Sequence, residues 1–235
     1  METAVTRRTL LRNTGIVAVL ARRLHAAGKQ YLIYWGTYTT PLTRFADGKS
    51  KGIYVSRFDS GTEKISPPEL AAETKSPSYL AVHPSWRFLY SVNELGADDS
   101  ETATGYVTAF SIDARTGKLA EINRASTKGV MPCHLNLDKT GAMLAAANWS
   151  SGSTVSIPVR KDGSLGELAT FYQHSGERSG VPAGGPPVQF HCHSVNFTPD
   201  NRYLIATDTS LNKVFVHRID TARRPSPHMI RHTSG

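Results

Sequence analysis

The residues best suited to chemistry lie between His191 and Asp208, in the string HCHSVNFTPDNRYLIATD. His191 and His193 alternate at the mouth of an apolar run, and residues two apart in a strand share a face. Cys192 between them faces the other way. Thr198-Pro199-Asp200-Asn201 carries Pro and Asp at turn positions. The next strand therefore returns Asp208 to the end where the histidines enter. Histidine titrates near neutrality and can take a proton from an attacking water. A carboxylate such as Asp208 can hold an imidazole in one tautomer. Arg178 or Asn148 can offer a cation or an amide N–H to the oxyanion of a tetrahedral intermediate. The set suits acid–base attack on an ester-like carbonyl. His134, His193 and Asp208 are the catalytic candidates; His191, Arg178 and Asn148 are the substrate-binding ones.

Other chemistries have weaker support. No serine sits at a nucleophile elbow of the G-x-S-x-G kind. There is no H-E-x-x-H and no C-x-x-C. A zinc site built from His191, Cys192 and His193 is awkward, because Cys192 faces away from the histidines in a regular strand. Gly180 to Pro187 (GVPAGGPP) is loop punctuation and not a phosphate-binding loop. No metal and no cofactor is implied.

The elements that must position these residues are short and repeated. Tyr31 to Tyr38 and Gly52 to Phe58 are rich in Tyr, Ile and Val, as strands are. Three similar units follow. SYLAVH, FLYSV and YVTAFSI form the first, CHLNL, MLAAA and STVSIPV the second, and HSVNF, YLIA and KVFVHRI the third. Tyr79, His134 and His193 fall in one column, 55 and 59 residues apart. Asn93, Asn148 and the Thr207-Asp208 pair fall in a second. Helical periodicity is absent beyond the N-terminal segment. Four antiparallel strands per unit, repeated at this period, predict an all-β chain: a β-propeller of about three and a half blades. The inner strand of each blade would line the central channel.

The formal charge of +8 is concentrated at the two ends. Residues 1–27 hold five Arg and one Glu, and residues 221–235 hold three Arg and no acid. The body carries about +1, so a basic nucleic-acid-binding face is not expected. Arg7-Arg8 followed by the apolar segment Gly15 to Ala21 is similar to a twin-arginine export signal. That segment is too short to span a bilayer. The expected organisation is a leader over 1–29, a propeller portion over 30–220 and an unrelated tail over 221–235. The leader predicts a periplasmic or exported protein; a cytoplasmic one is the alternative. Cys133 and Cys192 are too few for a disulfide framework and read as small buried thiols, with a single bridge as the other option.

Four strings carry a family resemblance: YWGTYT with KGIYVSRFD, PSYLAVHPSWRFLYSVNEL, PCHLNLDKTGAMLAAANWSSGSTVSIPV, and CHSVNFTPDNRYLIATDTSLNKVFVHRID. From about Tyr31 to Asp220 the chain resembles the bacterial 6-phosphogluconolactonase/lactonase family of seven-bladed propellers. The resemblance implies hydrolysis of a small sugar lactone without a metal, with His134 and His193 in the central pocket. Many relatives carry an Arg-Gln pair and a Pro before the paired histidines, where this chain has Pro187-Val188-Gln189-Phe190. Seven blades need about 28 strands, and about 14 are legible here. The expectation is a truncated, incomplete ring of low isolated activity that self-associates through open blade edges. A muconate-type lactonising enzyme and a non-catalytic binding propeller are the alternatives. Export would favour an unphosphorylated lactone.

Overall fold

A computed structural model describes residues 18–22, 30–41, 48–96, 104–176, 189–220 and 229–232. Those residues are all-β and form four antiparallel sheets in chain order. Sheet I holds β1 (Ala18–Arg22), β2 (Gln30–Trp35), β3 (Gly52–Asp59), β4 (Lys64–Ile65) and β5 (Glu69–Glu73). Sheet II holds β6 (Leu80–Val82), β7 (Phe88–Asn93), β8 (Tyr106–Ile112) and β9 (Leu119–Ser126). Sheet III holds β10 (Pro132–Leu137), β11 (Met143–Asn148), β12 (Ser153–Pro158) and β13 (Thr170–Gln173). Sheet IV holds β14 (Cys192–Phe197), β15 (Tyr203–Asp208), β16 (Lys213–Asp220) and β17 (Met229–His232). β1 and β17 fall in the stretches read from the sequence as leader and tail. Each pairs antiparallel with its neighbour, β1 with β2 and β17 with β16.

The sheets stack face to face. One apolar cluster joins sheets I and II through Leu32, Tyr34, Leu89 and Phe110. A second joins II and III through Tyr90, Val107, Leu144 and Ile157. A third joins III and IV through Ala145, Ala147, Val195 and Leu204. Every residue of β7 and β11 is buried, because sheets II and III are covered on both faces. Strands buried on both faces read as continuous apolar runs, and FLYSV and MLAAA do so. Tyr34 and Tyr90 also cross to the next sheet, where each hydroxyl donates to a turn carbonyl, of Gly117 and Gly163, at 2.9 Å.

A polar side chain ends the second strand of sheets II, III and IV and reaches back to the sheet before. Asn93 donates to Thr74 Oγ1 at 2.9 Å and to the Lys75 carbonyl, just past β5. Asn148 donates to the Thr127 carbonyl, just past β9 (3.4 Å), and to Ser153 Oγ (2.9 Å). Asp208 meets His174, just past β13, with Oδ2 2.9 Å from Nδ1. The second column of the repeat is thus a set of inter-sheet staples, each buried.

The pairing register corrects the first column. Pro132 lies opposite Asn148 and His134 opposite Ala147, so Cys133 is the extra residue of a β-bulge. Cys192 lies opposite Asp208 and Ser194 opposite Thr207, so His193 is the extra residue. His193 is therefore equivalent to Cys133 and Ser78. The partner of Tyr79 and His134 is Ser194. The Cys-His pairs look alike in sequence, yet they are one residue out of phase, and one residue changes the face a side chain takes.

We expect Asn148→Ala to strand the buried Thr127 carbonyl and lower stability by about 1–3 kcal/mol. Urea denaturation should show a lower midpoint at an unchanged slope. A midpoint equal to wild type would remove the staple from the account.

Candidate active site at the inner strand ends

The residue after each staple lies where the second strand leaves its sheet. Its N–H bonds back across the sheet's inner end: Glu94 to the Ser76 carbonyl (3.0 Å), Trp149 to Met131 (2.8 Å) and Thr209 to His191 (3.0 Å). Ser76 and Met131 take positive φ, which turns the chain sharply into the inner strand. This geometry brings the ends of adjacent sheets together.

Glu94 is the centre of the resulting group. It is buried, and Oε2 accepts from Tyr38 Oη of the loop after β2 (2.9 Å) and from Ser78 Oγ just before β6. Burial raises its pKa, opposed by these two hydrogen bonds and by the nearby His193. Both bonds fall on Oε2, leaving Oε1 as an acceptor. Neither Glu94 nor Tyr38 stood among the sequence candidates. Glu94 sits one position past the Asn column, and an acid directly after an apolar strand was the signal available.

His134 lies between neighbouring sheets. Its ring packs on Tyr79, with centroids 4.1 Å apart, and Nδ1 accepts from the Val195 N–H of β14 at 3.3 Å. Asn136 does the same for the Phe197 N–H at 3.1 Å. β14 is the inner edge of its sheet, so these side chains satisfy donors that no strand covers. Burial, then the nearby His193, pushes the His134 pKa down to about 4. The ring is neutral at pH 7. With Nδ1 accepting, its proton is on Nε2.

His193 is exposed on its bulge, close enough to act electrostatically on both Glu94 and His134. His191 stacks on Trp149, with centroids 4.0 Å apart and planes 14° apart. Its Nδ1 meets Ser210 Oγ at 2.7 Å. Cys133 is a free thiol that points to the carbonyls of Cys192 (3.7 Å) and His193 (3.5 Å). Cys192 is also free and meets Thr154 Oγ1 at 3.3 Å on the sheet III side. Burial raises both thiols, Cys192 to about 12. Neither is a ready nucleophile.

Two sequence candidates take other work. Asp208 does not orient His193. Its Oδ2 binds His174 and its Oδ1 accepts from the main-chain N–H groups of His191, Ser210 and Leu211 at 3.0–3.1 Å. Asn148 spends its amide on the staple and is fully buried, so it offers no oxyanion donor. Arg178 lies outside the described residues. Gly48-Lys49-Ser50-Lys51-Gly52 spells G-x-S-x-G, but it is a loop running into β3 and not a strand-to-helix elbow. Among the described residues, no three His, Cys, Asp or Glu side chains converge as a metal-binding group.

Stacked antiparallel sheets of four or five strands, repeated in chain order, define a β-propeller fold. The family model for the seven-bladed β-propeller lactonases matches residues 32–234, and the chain belongs to that family. It is 32% identical to a 6-phosphogluconolactonase of Bacillus subtilis over 190 residues, 81% of this chain and 50% of that one. It is 34% identical to a 6-phosphogluconolactonase of Formosa agariphila over 169 residues, 70% of this chain and 45% of that one. The solved periplasmic gluconolactonase of Pseudomonas aeruginosa superposes with a TM-score of 0.71 at 33% identity, covering 87% of this chain and 56% of that one. The chain spans about half the length of the curated relatives it matches.

The lowered pKa of His134 favours the neutral ring in the folded state. An unfolded chain therefore binds more protons between about pH 6.5 and pH 4. Stability from this group is full above pH 6.5 and falls as pH drops through that window, by at most about 3 kcal/mol. Glu94 acts in the opposite sense, so the test is a difference. Between pH 7 and pH 4.5, His134→Gln should lose less urea resistance than wild type; equal losses would contradict the assignment.

Proposed function

We propose that this channel end hydrolyses a sugar lactone. The observation that carries the reading is Glu94: a buried carboxylate of raised pKa, held by two hydroxyls and close to the imidazole of His193. A carboxylate raised toward neutrality is suited to take a proton from water. As it does so, the water oxygen bonds to the lactone carbonyl carbon. The Nε2–H of neutral His134 donates to the carbonyl oxygen as it becomes an oxyanion. Collapse of the tetrahedral intermediate breaks the ring C–O bond, and exposed His193 supplies a proton to the departing alkoxide. The product is the open hydroxy acid. Trp149 stacked on His191 adds an aromatic face at the inner end of sheet III. Membership of the lactonase family and the names of the relatives support this reaction class.

The substrate we infer is unphosphorylated. The Arg7-Arg8 leader supports export, and one structural relative is a periplasmic gluconolactonase. On this reading the protein works outside the cytoplasm, on a lactone available there.

Hydrolysis of δ-gluconolactone and of its 6-phosphate, followed by acid release, tests both statements. Glu94→Gln is expected to lower kcat by about 10²–10⁴-fold. The unphosphorylated lactone is expected to give the higher kcat/KM. Full turnover in Glu94→Gln would overturn the assignment of the base. Preference for the phosphorylated lactone would overturn the substrate.

A further inference from the structure

Tyr38 and Glu94 occupy the same place in successive units. Tyr34 and Tyr90 are equivalent, since each crosses to a turn of the next sheet, at Gly117 and Gly163. Tyr38 lies four residues past the first, and Glu94 four residues past the second. Thr37 takes the position of Asn93; it is buried, and its Oγ1 donates to the Gly52 carbonyl at 2.6 Å. The residue that follows is a tyrosine in one unit and an acid in the next, and their side chains meet at 2.9 Å. The main chain beside them repeats as well. Ahead of β10, Met131 takes positive φ, donates its N–H to the Leu95 carbonyl (3.1 Å) and accepts from the Trp149 N–H. Ahead of β6, Ser76 takes that place with φ 38°, and its carbonyl accepts from the Glu94 N–H. The Ser76 N–H, however, donates to a side chain, Thr39 Oγ1, at 2.8 Å. Ser76 Oγ accepts from the Thr39 N–H at 3.4 Å and meets Thr40 Oγ1 at 3.0 Å. Met131 makes the same turn, so the turn itself does not need a serine. Ser76 is fully buried, and its hydroxyl is used in holding Thr39 and Thr40.

We propose that Tyr38 is a positioning residue for Glu94 and that the Thr39–Ser76 clasp sets its place. The inference rests on the reading of Glu94 as the base. Through Ser76 the clasp ties the residue after Tyr38 to the main-chain N–H of Glu94. Tyr38 Oη and Ser78 Oγ both donate to Oε2. Turning the carboxyl group would break both bonds, so Oε1 is the oxygen held out for water. Burial, then the charge of Glu94, raises the Tyr38 hydroxyl above the ordinary tyrosine range, so it stays a donor at every working pH. Among the described residues, the other titratable groups in electrostatic contact with Glu94 are His193, on the bulge of β14, and Cys133, on the bulge of β10. Those two act through space, whereas Tyr38 acts through a hydrogen bond.

Tyr38→Phe keeps the ring and loses the donor. The carboxylate is then less stabilised, so the Glu94 midpoint, read from its carboxyl ¹³C shift, should rise by about one pH unit. The acid limb of kcat/KM for δ-gluconolactone should move up with it. Thr39→Val removes the clasp oxygen at nearly constant shape. It is expected to move both readings the same way, by a smaller amount. The double variant should match Tyr38→Phe, because the clasp then has no hydroxyl left to place. A Glu94 midpoint unchanged in Tyr38→Phe would overturn the proposal. Additive shifts in the double variant would overturn the role of the clasp. A midpoint that rises while the rate profile stays still upholds the Tyr38 contact and removes Glu94 as the base, so the two readings fail separately.

Discussion

The structure depends on one buried polar contact made three times. The last residue of each second strand, Asn93, Asn148 or Asp208, reaches back to the chain that has just left the preceding sheet. Apolar faces alone would hold the sheets together but leave them free to slide, since hydrophobic attraction has no direction. A buried amide or carboxylate cannot slide without losing its partner, and the loss costs about 1–3 kcal/mol. The staple fixes the angle and height of each sheet against the last. The residue that follows it, Glu94, Trp149 or Thr209, is thereby delivered to the same level at the inner end. The site is built on that level.

Within this frame the same strand position does different work in successive sheets. Ser78, Cys133 and His193 share one place on the bulge of the inner strand. The first holds Glu94, the second points to the carbonyl of the third, and the third stands exposed beside both ionisable neighbours. Repetition supplies the geometry, and substitution at equivalent positions supplies the chemistry. His134 shows the limits of reading function from residue type. Its Nδ1 is committed to an edge N–H of β14 and its ring is kept neutral by burial. It is a strut that also presents a donor, and not a free base.

The all-β class, the four-stranded units and most strand positions were legible because turns of Pro, Gly, Asp and Asn separate short apolar runs. The repeat was legible too, and its second column holds at Asn93, at Asn148 and at the Asp208 of the Thr207-Asp208 pair. Its meaning was not. Asn148 and Asp208 look exposed at a strand end in sequence, and only the sheet before them shows that they are buried. The first column slipped by one because a bulge adds a residue without leaving a mark in composition. The repeated Cys-His pairs then favoured the wrong phase. Glu94 was passed over because a single acid after a strand is ordinary. What distinguishes it is Tyr38, which is 56 residues away and arrives from the loop that follows β2.

The central claim is that Glu94 is a desolvated carboxylate held in the field of His193. Its titration can be followed directly from the side-chain carboxyl ¹³C shift in selectively labelled protein. A midpoint above that of an ordinary glutamate is expected, moving further up in His193→Gln, where the nearby imidazole is gone. An ordinary midpoint that ignores that substitution would contradict it.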